Sequence, residues 1–304
     1  MKVSIVGVGK VGSSLAFVLA MSNFVTELVL VGRSRNSVTG DVLDLRHGQL
    51  FVANPTKIVA GEFGDTKGSD VIAICASAPT PVDMRSRLQL AQPNVDLLQS
   101  ILPDLAKLSP NAKVVLASNP VDVLVHFALQ ITGFHPNQIM GTGTLVDSAR
   151  FRQLLSEEIQ IHMEDIRAYI LGEHGDSQFP AMSCAYAGGE LIEPSPERYQ
   201  LAQQAAQAGY EVFRHKGHTN YAIALATARL IECIARDAKH TFPISLKVDG
   251  FLGVDDVCLS LPAVVGKGGV ERVLHPKLDQ REQAAFLASA QVVRHIIANI
   301  QLGS

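Results

Sequence analysis

Met1-Lys2-Val3-Ser4-Ile5-Val6-Gly7-Val8-Gly9-Lys10-Val11-Gly12-Ser13-Ser14 is the stretch that decides the fold. A β-branched run stops at the first glycine of a G-x-G-x-x-G pattern, and a helical pattern follows from near Ser13. Glycines at those spacings permit a tight turn and bring backbone close to a pyrophosphate, which then rests on the positive end of the following helix. The pattern alone also fits a plain strand-to-helix turn, so the text around it has to choose. Short apolar runs at 27–31, 57–60, 71–75 and 113–117 alternate with helical periodicity, and Leu97, Leu98, Ile101, Leu102, Leu105 and Leu108 recur on one helical face. That alternation predicts a parallel sheet with crossover helices. Gly7, Gly9, Lys10, Val11 and Gly12 then become the expected phosphate-binding turn of a dinucleotide site.

Beyond Thr142 the pattern changes. A helix is expected over 147–156, a strand over 166–171, and an Ala-rich helical stretch over 197–237 interrupted at Gly209 and Gly217. The text from 243 to 265 alternates and turns, which suggests antiparallel strands, and a last helix is expected over 280–300. The fold class is therefore α/β: a Rossmann-type doubly wound parallel sheet over 1–142, followed by a second, α+β catalytic domain over 143–304.

With Lys+Arg 26 against Asp+Glu 29, the charge balance gives no basic surface for nucleic acid or for an acidic membrane. A small-molecule partner is expected instead. Cys75, Cys184, Cys233 and Cys258 are far apart, without C-x-x-C or metal-ligand spacing, and read as reduced thiols. No apolar stretch approaches the ~18 residues needed to cross a bilayer, and the first segment lacks a cleavage pattern, so a cytoplasmic location is expected.

An NAD-binding unit carries Asp or Glu at the end of its second strand, to accept from the ribose 2′-hydroxyl. Here Leu28-Val29-Leu30-Val31 runs into Gly32-Arg33-Ser34-Arg35, and no acid stands there. A 2′-phosphate would meet guanidinium and hydroxyl groups rather than a repelling carboxylate, which predicts NADP(H) as the preferred cofactor. NAD(H) stays possible if the site has only lost discrimination.

Asp147-Ser148-Ala149-Arg150 and Leu171-Gly172-Glu173-His174-Gly175-Asp176-Ser177 offer an acid, a guanidinium and an imidazole. Singly, such residues are more often a helix cap, a surface cation and a structural histidine. Together they can bind a carboxylate and move a proton.

With these pieces in order the chain resembles the lactate/malate dehydrogenase family of 2-hydroxy acid oxidoreductases, from the first strand to about Ile297. The matching text includes GVGKVGSS at 7–14, GDVLDLRHG at 40–48, SNPVDVL at 118–124, GTGTLVDSARFR at 141–152, LGEHGDS at 171–177 and KGHTNYAIA at 216–224. The resemblance implies that His174 exchanges a proton with the substrate oxygen and that Asp147 is its partner. It also implies that Arg150 grips the substrate carboxylate, that Arg87 polarises the carbonyl from a mobile loop, and that Asn119 contacts cofactor and substrate. Thr219 would line the substrate side and Ile223 would pack on the nicotinamide. A homodimer or homotetramer is implied as well, for which the stretch 41–50 and the helix from Gln200 are candidate contact surfaces.

The chain departs from the family in the loop 78–87. Six residues before Arg87, where Gln goes with lactate enzymes and Arg with malate enzymes, stands Pro81, which can neither donate nor carry charge. A 2-oxo monocarboxylate is the favoured substrate. Alternatively Arg85 swings inward to bind a second carboxylate and restores malate activity, or the chain is a catalytically weak dinucleotide-binding sensor.

Overall fold

The computed structural model describes residues 1–79 and 90–303. Five of its strands fall where the sequence puts them, with ends moved by a single residue at most: β1 (Lys2–Val6), β2 (Glu27–Val31), β3 (Lys57–Gly61), β4 (Val71–Ile74) and β5 (Lys113–Leu116). A sixth, β6 (Ile139–Gly141), is too short to show as a run in the sequence. The helices between them are α1 (Lys10–Ala20), α2 (Arg35–Gly48), α3 (Ala91–Leu108) and α4 (Val121–Thr132). All pairings among β1 to β6 are parallel, in the spatial order β3-β2-β1-β4-β5-β6. Helices cover both faces, so the strands need apolar residues at successive positions rather than at alternate ones. Ile72, Ala73 and Ile74 accordingly have no exposed surface.

The second half begins with α5 (Leu145–Ile159). The expected strand over 166–171 is two two-residue strands, β7 (Ile166–Arg167) and β8 (Ile170–Leu171), which pair with different partners. Three further short strands follow, β9 (Phe179–Pro180), β10 (Tyr186–Ala187) and β11 (Glu190–Leu191). Then come α6 (Pro196–Lys216) and α7 (Tyr221–Arg236). Gly217, at φ +78, ends α6 as expected, but Gly209 does not interrupt it. A Cβ there would make only ordinary contact with the Arg150 guanidinium, 3.4 Å from Nη1.

The antiparallel strands β12 (His240–Lys247), β13 (Cys258–Gly266) and β14 (Gly269–Val273) do not form a separate sheet. They extend the first one to nine strands, β12 lying beside β6 through the pair Ser245 and Gly141. The chain closes with α8 (Gln280–Ala298). No helix among the described residues is long and apolar enough to cross a membrane.

Helix α1 starts at Lys10, three residues before the expected Ser13, and the third glycine of the motif lies inside it. A Cβ on Gly12 would fall on the Gly7 carbonyl oxygen, whereas a Cβ on Gly9 would meet nothing within 4 Å. The two glycines therefore differ in their surroundings: Gly12 is required by the packing of helix on turn, whereas Gly9 borders open space. Gly12→Ala should cost about 1–3 kcal/mol of stability by overpacking. Gly9→Ala should stay within about 1 kcal/mol of the parent and weaken dinucleotide binding. Urea unfolding and fluorescence titration of the two variants check the contrast.

Candidate active site

The carboxylate comes first because it is the most confined. Asp147 lies in the first turn of α5 and is only 2 % exposed. It is not a cap, since Thr144 precedes the helix. Both oxygens are committed: Oδ1 accepts from Arg150 Nη1 at 3.1 Å, and Oδ2 stands 2.7 Å from His174 Nδ1. Burial pushes its pKa up, but the His174 imidazole and the Arg150 guanidinium outweigh burial and hold the carboxyl below its ordinary value. An ionised carboxylate can only accept, so it fixes the imidazole proton on Nδ1.

His174 sits in the turn after β8. Gly172, at φ +89, makes this turn possible, because a side chain there would run into Ser289. The backbone of the turn is held by a residue the sequence reading did not single out. The N–H of His174 donates to Asp122 Oδ2 at 2.7 Å, from the first turn of α4. Asp122 is 2 % exposed, and its other oxygen has no hydrogen-bond partner among the described residues; nor has the neighbouring Ser245 hydroxyl. Burial pushes the Asp122 carboxyl up to about 6, in spite of some relief from the His174 amide and ring. Asp122 belongs to the SNPVDVL segment, but no spacing rule says that it reaches a turn 52 residues on.

Asn119 lies at the end of β5, before a cis peptide bond to Pro120. Its carbonyl accepts from Asn94 Nδ2 at 2.7 Å, and Asn94 Oδ1 accepts from the Ala78 N–H at 2.6 Å. Asn94, buried in α3, is a second residue that sequence reasoning missed. A cleft of about 420 Å³ brings Asn119, Asp147, Arg150, His174 and Thr219 together. Its far wall is α6, where Gly209 lies beside the Arg150 guanidinium. Ile223 is half-buried in the first turn of α7 but does not line this cleft. Pro81, Arg85 and Arg87 lie outside the described residues.

The glycine turn fits a dinucleotide. Gly7 takes φ +94 and packs so closely on Cys75 and Ala76 that no side chain could replace it. No side chain caps α1, so its first N–H groups are left for an anion. Nearby Cys75 is no candidate nucleophile, since burial pushes its thiol up to about 12. At the end of β2, Ser34 caps α2 by accepting from the Ser37 N–H at 3.3 Å. Arg33 is exposed, whereas Arg35 turns to Asp65 at 2.9 Å and to Glu62 at 3.7 Å. A Cβ on Gly32 would crowd the Ser37 hydroxyl and the Val38 side chain, so a glycine fits this end of β2.

Comparison with known proteins names this arrangement. Residues 1–141 match the lactate/malate dehydrogenase NAD binding domain, and residues 144–301 match the lactate/malate dehydrogenase alpha/beta C-terminal domain. The chain belongs to the lactate/malate dehydrogenase family. It is 38 % identical over 307 residues to an L-lactate dehydrogenase of Synechococcus, covering 99 % of this chain and 100 % of that one. Identity to an L-lactate dehydrogenase of Gloeobacter violaceus is 36 % over 310 residues, covering 99 % and 93 %. The crystal structure of the minor L-lactate dehydrogenase of Enterococcus mundtii superposes with a TM-score of 0.94 at 27 % identity, covering 99 % of both chains. A lactate dehydrogenase from a Medee basin deep-sea metagenome library gives 0.93 at 32 %, covering 98 % of both. The chain is a nicotinamide-dependent 2-hydroxy acid dehydrogenase, an oxidoreductase acting on a small carboxylate.

The buried acid beside His174 has a signature in stability. A carboxyl raised from 3.8 to about 6 on folding takes up a proton as the chain folds. Its favourable contribution is present below pH 3.8 and is lost as pH rises through about 6. Asp122→Asn keeps an oxygen for the His174 N–H but has no such titration. Its unfolding free energy, relative to the parent, should therefore rise between about pH 4 and pH 6, as urea unfolding at stepped pH would show.

Proposed function

We propose that this enzyme reversibly reduces a 2-oxo monocarboxylate to the 2-hydroxy acid, with NADP(H) preferred over NAD(H). The observation that carries the acid–base part is the Asp147 carboxylate, which holds His174 at 2.7 Å and Arg150 at 3.1 Å in one cleft. The bound dinucleotide supplies or accepts the hydride. Arg150 turns its remaining donors to the substrate carboxylate and fixes the orientation of the carbonyl. Protonated His174 gives its Nε2 proton to the substrate oxygen during reduction and takes it back during oxidation, while Asp147 stabilises the imidazolium. Asn119 and Thr219 complete the wall around the substrate; Ile223 would pack against the nicotinamide, and Arg87 would polarise the carbonyl. In this reading the boundary near residue 142 divides cofactor binding from acid–base chemistry.

The cofactor preference rests on the end of β2. Arg33 and the Ser34 and Ser37 hydroxyls would receive a 2′-phosphate at the start of α2, where Gly32 offers no carboxylate to repel it. Arg35, already paired to Asp65 and Glu62, supports that turn rather than the ligand. Pro81 and the relatives named L-lactate dehydrogenase both favour a single-carboxylate substrate. A panel of 2-oxo acids with both cofactors tests the whole reading. NADPH should give the higher kcat/KM, and Arg33→Ala should lower it for NADPH alone. A clear NADH preference refutes the cofactor assignment, and efficient oxaloacetate reduction that disappears in Arg85→Ala refutes the monocarboxylate.

The acid–base role gives a second outcome. With hydride transfer rate-limiting, kcat for reduction should fall at alkaline pH as His174 loses its proton. Asp147→Asn should lower kcat by about 10²–10⁴ and move that fall to lower pH. A profile of the parent enzyme that is flat from pH 6 to 9 counts against His174.

A homodimer through the α1 and α2 face belongs to the same reading. Phe17, Leu50 and Phe51 stand 57 %, 86 % and 85 % exposed, and Tyr221 and Leu225 of α7 add to the exposed apolar surface. The expected stretch 41–50 lies in this face, whereas α6 from Gln200 turns its buried residues to α5. Phe51→Asp should shift the particle to monomer mass in light scattering.

A further inference from the structure

The short segment between α6 and α7 carries Thr219 into the cleft, and the residue after it behaves unusually. Asn220 occupies the N-cap position of α7, where an asparagine ordinarily accepts from the helix it precedes. Here it makes no such bond. Its side chain is turned the other way, to α1: Nδ2 donates to Ser14 Oγ at 2.7 Å, and Oδ1 accepts from Lys216 Nζ at 2.5 Å. Ser14 Oγ in turn donates to the Lys10 carbonyl at 2.8 Å, in the first turn of the helix that the phosphate-binding glycines open. Lys216 Nζ is held from its other side by the Tyr221 ring, 3.5 Å from the centroid.

Asn220 is 7 % exposed, so an amide that lost either partner would be left buried and unsatisfied. The N–H groups at the start of α7 give up a side-chain cap for this arrangement. The chain Lys10, Ser14, Asn220, Lys216 runs without a gap from the glycine turn to the last turn of α6. Thr219 stands between the last two members. No other polar side-chain bond among the described residues joins α1 itself to this segment; α7 packs on α1 through apolar residues, and its far end is tied by Arg236 to Asn23 in the turn after α1.

We propose that Asn220 is a positioning residue of the dehydrogenase reaction: its amide, clamped between Ser14 and Lys216, sets the distance between the dinucleotide held on α1 and the substrate held beside Thr219. This rests on the assignment of the glycine turn and of Thr219 made under Proposed function. The residue touches neither reactant. Loosening it should leave each site able to bind alone and spoil their alignment, and misplacement of about 1 Å between reacting groups can cost ~100-fold.

The test compares the full-length enzyme with Asn220→Ala, Ser14→Ala and the double variant, using pyruvate with NADH and with NADPH. Both single variants should raise KM for pyruvate and lower kcat, each by roughly tenfold, while the dinucleotide Kd from fluorescence titration stays within about twofold. The double variant should be no worse than the poorer single one, because both break the same link. Asn220→Asp, which still accepts from Lys216 but has no donor for Ser14 Oγ, whose one proton goes to the Lys10 carbonyl, should recover little of the loss. Unchanged kinetics in both single variants overturn the proposal, as do losses that multiply in the double variant or a fall in Tm without a kinetic effect. If Asn220→Ala does not fold, Ser14→Ala decides alone. A parent enzyme inactive on every 2-oxo acid would instead refute the function assigned above.

Discussion

A carboxylate removed from water has to be given partners, and in this protein that requirement organises the active site. Asp147 cannot stay ionised in the interior unless an imidazole and a guanidinium come to it, one from the turn after β8 and one from its own helix. The reacting groups are thus gathered by an electrostatic debt as much as by the fold. Asp122 answers the same requirement differently: lacking a cation in contact, it takes the backbone N–H of His174 and rises in pKa. The histidine is held by its ring from one acid and by its backbone from another. Two degrees of freedom that would blur a proton transfer are removed.

The sheet and the cleft were legible in the chain to different depths. β2 and β4 could be read because buried parallel strands are written as unbroken apolar runs, and a run needs no knowledge of its partner. β6 could not, since three residues make no pattern. Gly209 misled for a related reason: glycine is a poor helix former, but one such residue costs only about 1 kcal/mol, and α6 runs through it. Asp147, Arg150 and His174 were legible because motif and chemistry agreed on them. Asp122, Asn94 and Asn220 were not, because each acts by holding a distant backbone or side chain, and nothing local marks such work.

The two ends of the cofactor site show the same division. The glycine turn is written in full in the sequence, as its function is local geometry. At the end of β2 the sequence shows only that an acid is missing. The fold adds that a side chain at Gly32 would crowd Ser37 and Val38, and that Arg35 is paired with Asp65.

The single sheet shared by both halves has a consequence for how far the halves can be regarded as modules. The sequence changes character near residue 142, but β6 and β12 are neighbours across that point. A cut there would leave each fragment with a raw strand edge of unpaired N–H and carbonyl groups, the kind of surface that recruits further copies and precipitates. The two halves are separable as text, yet they share one sheet.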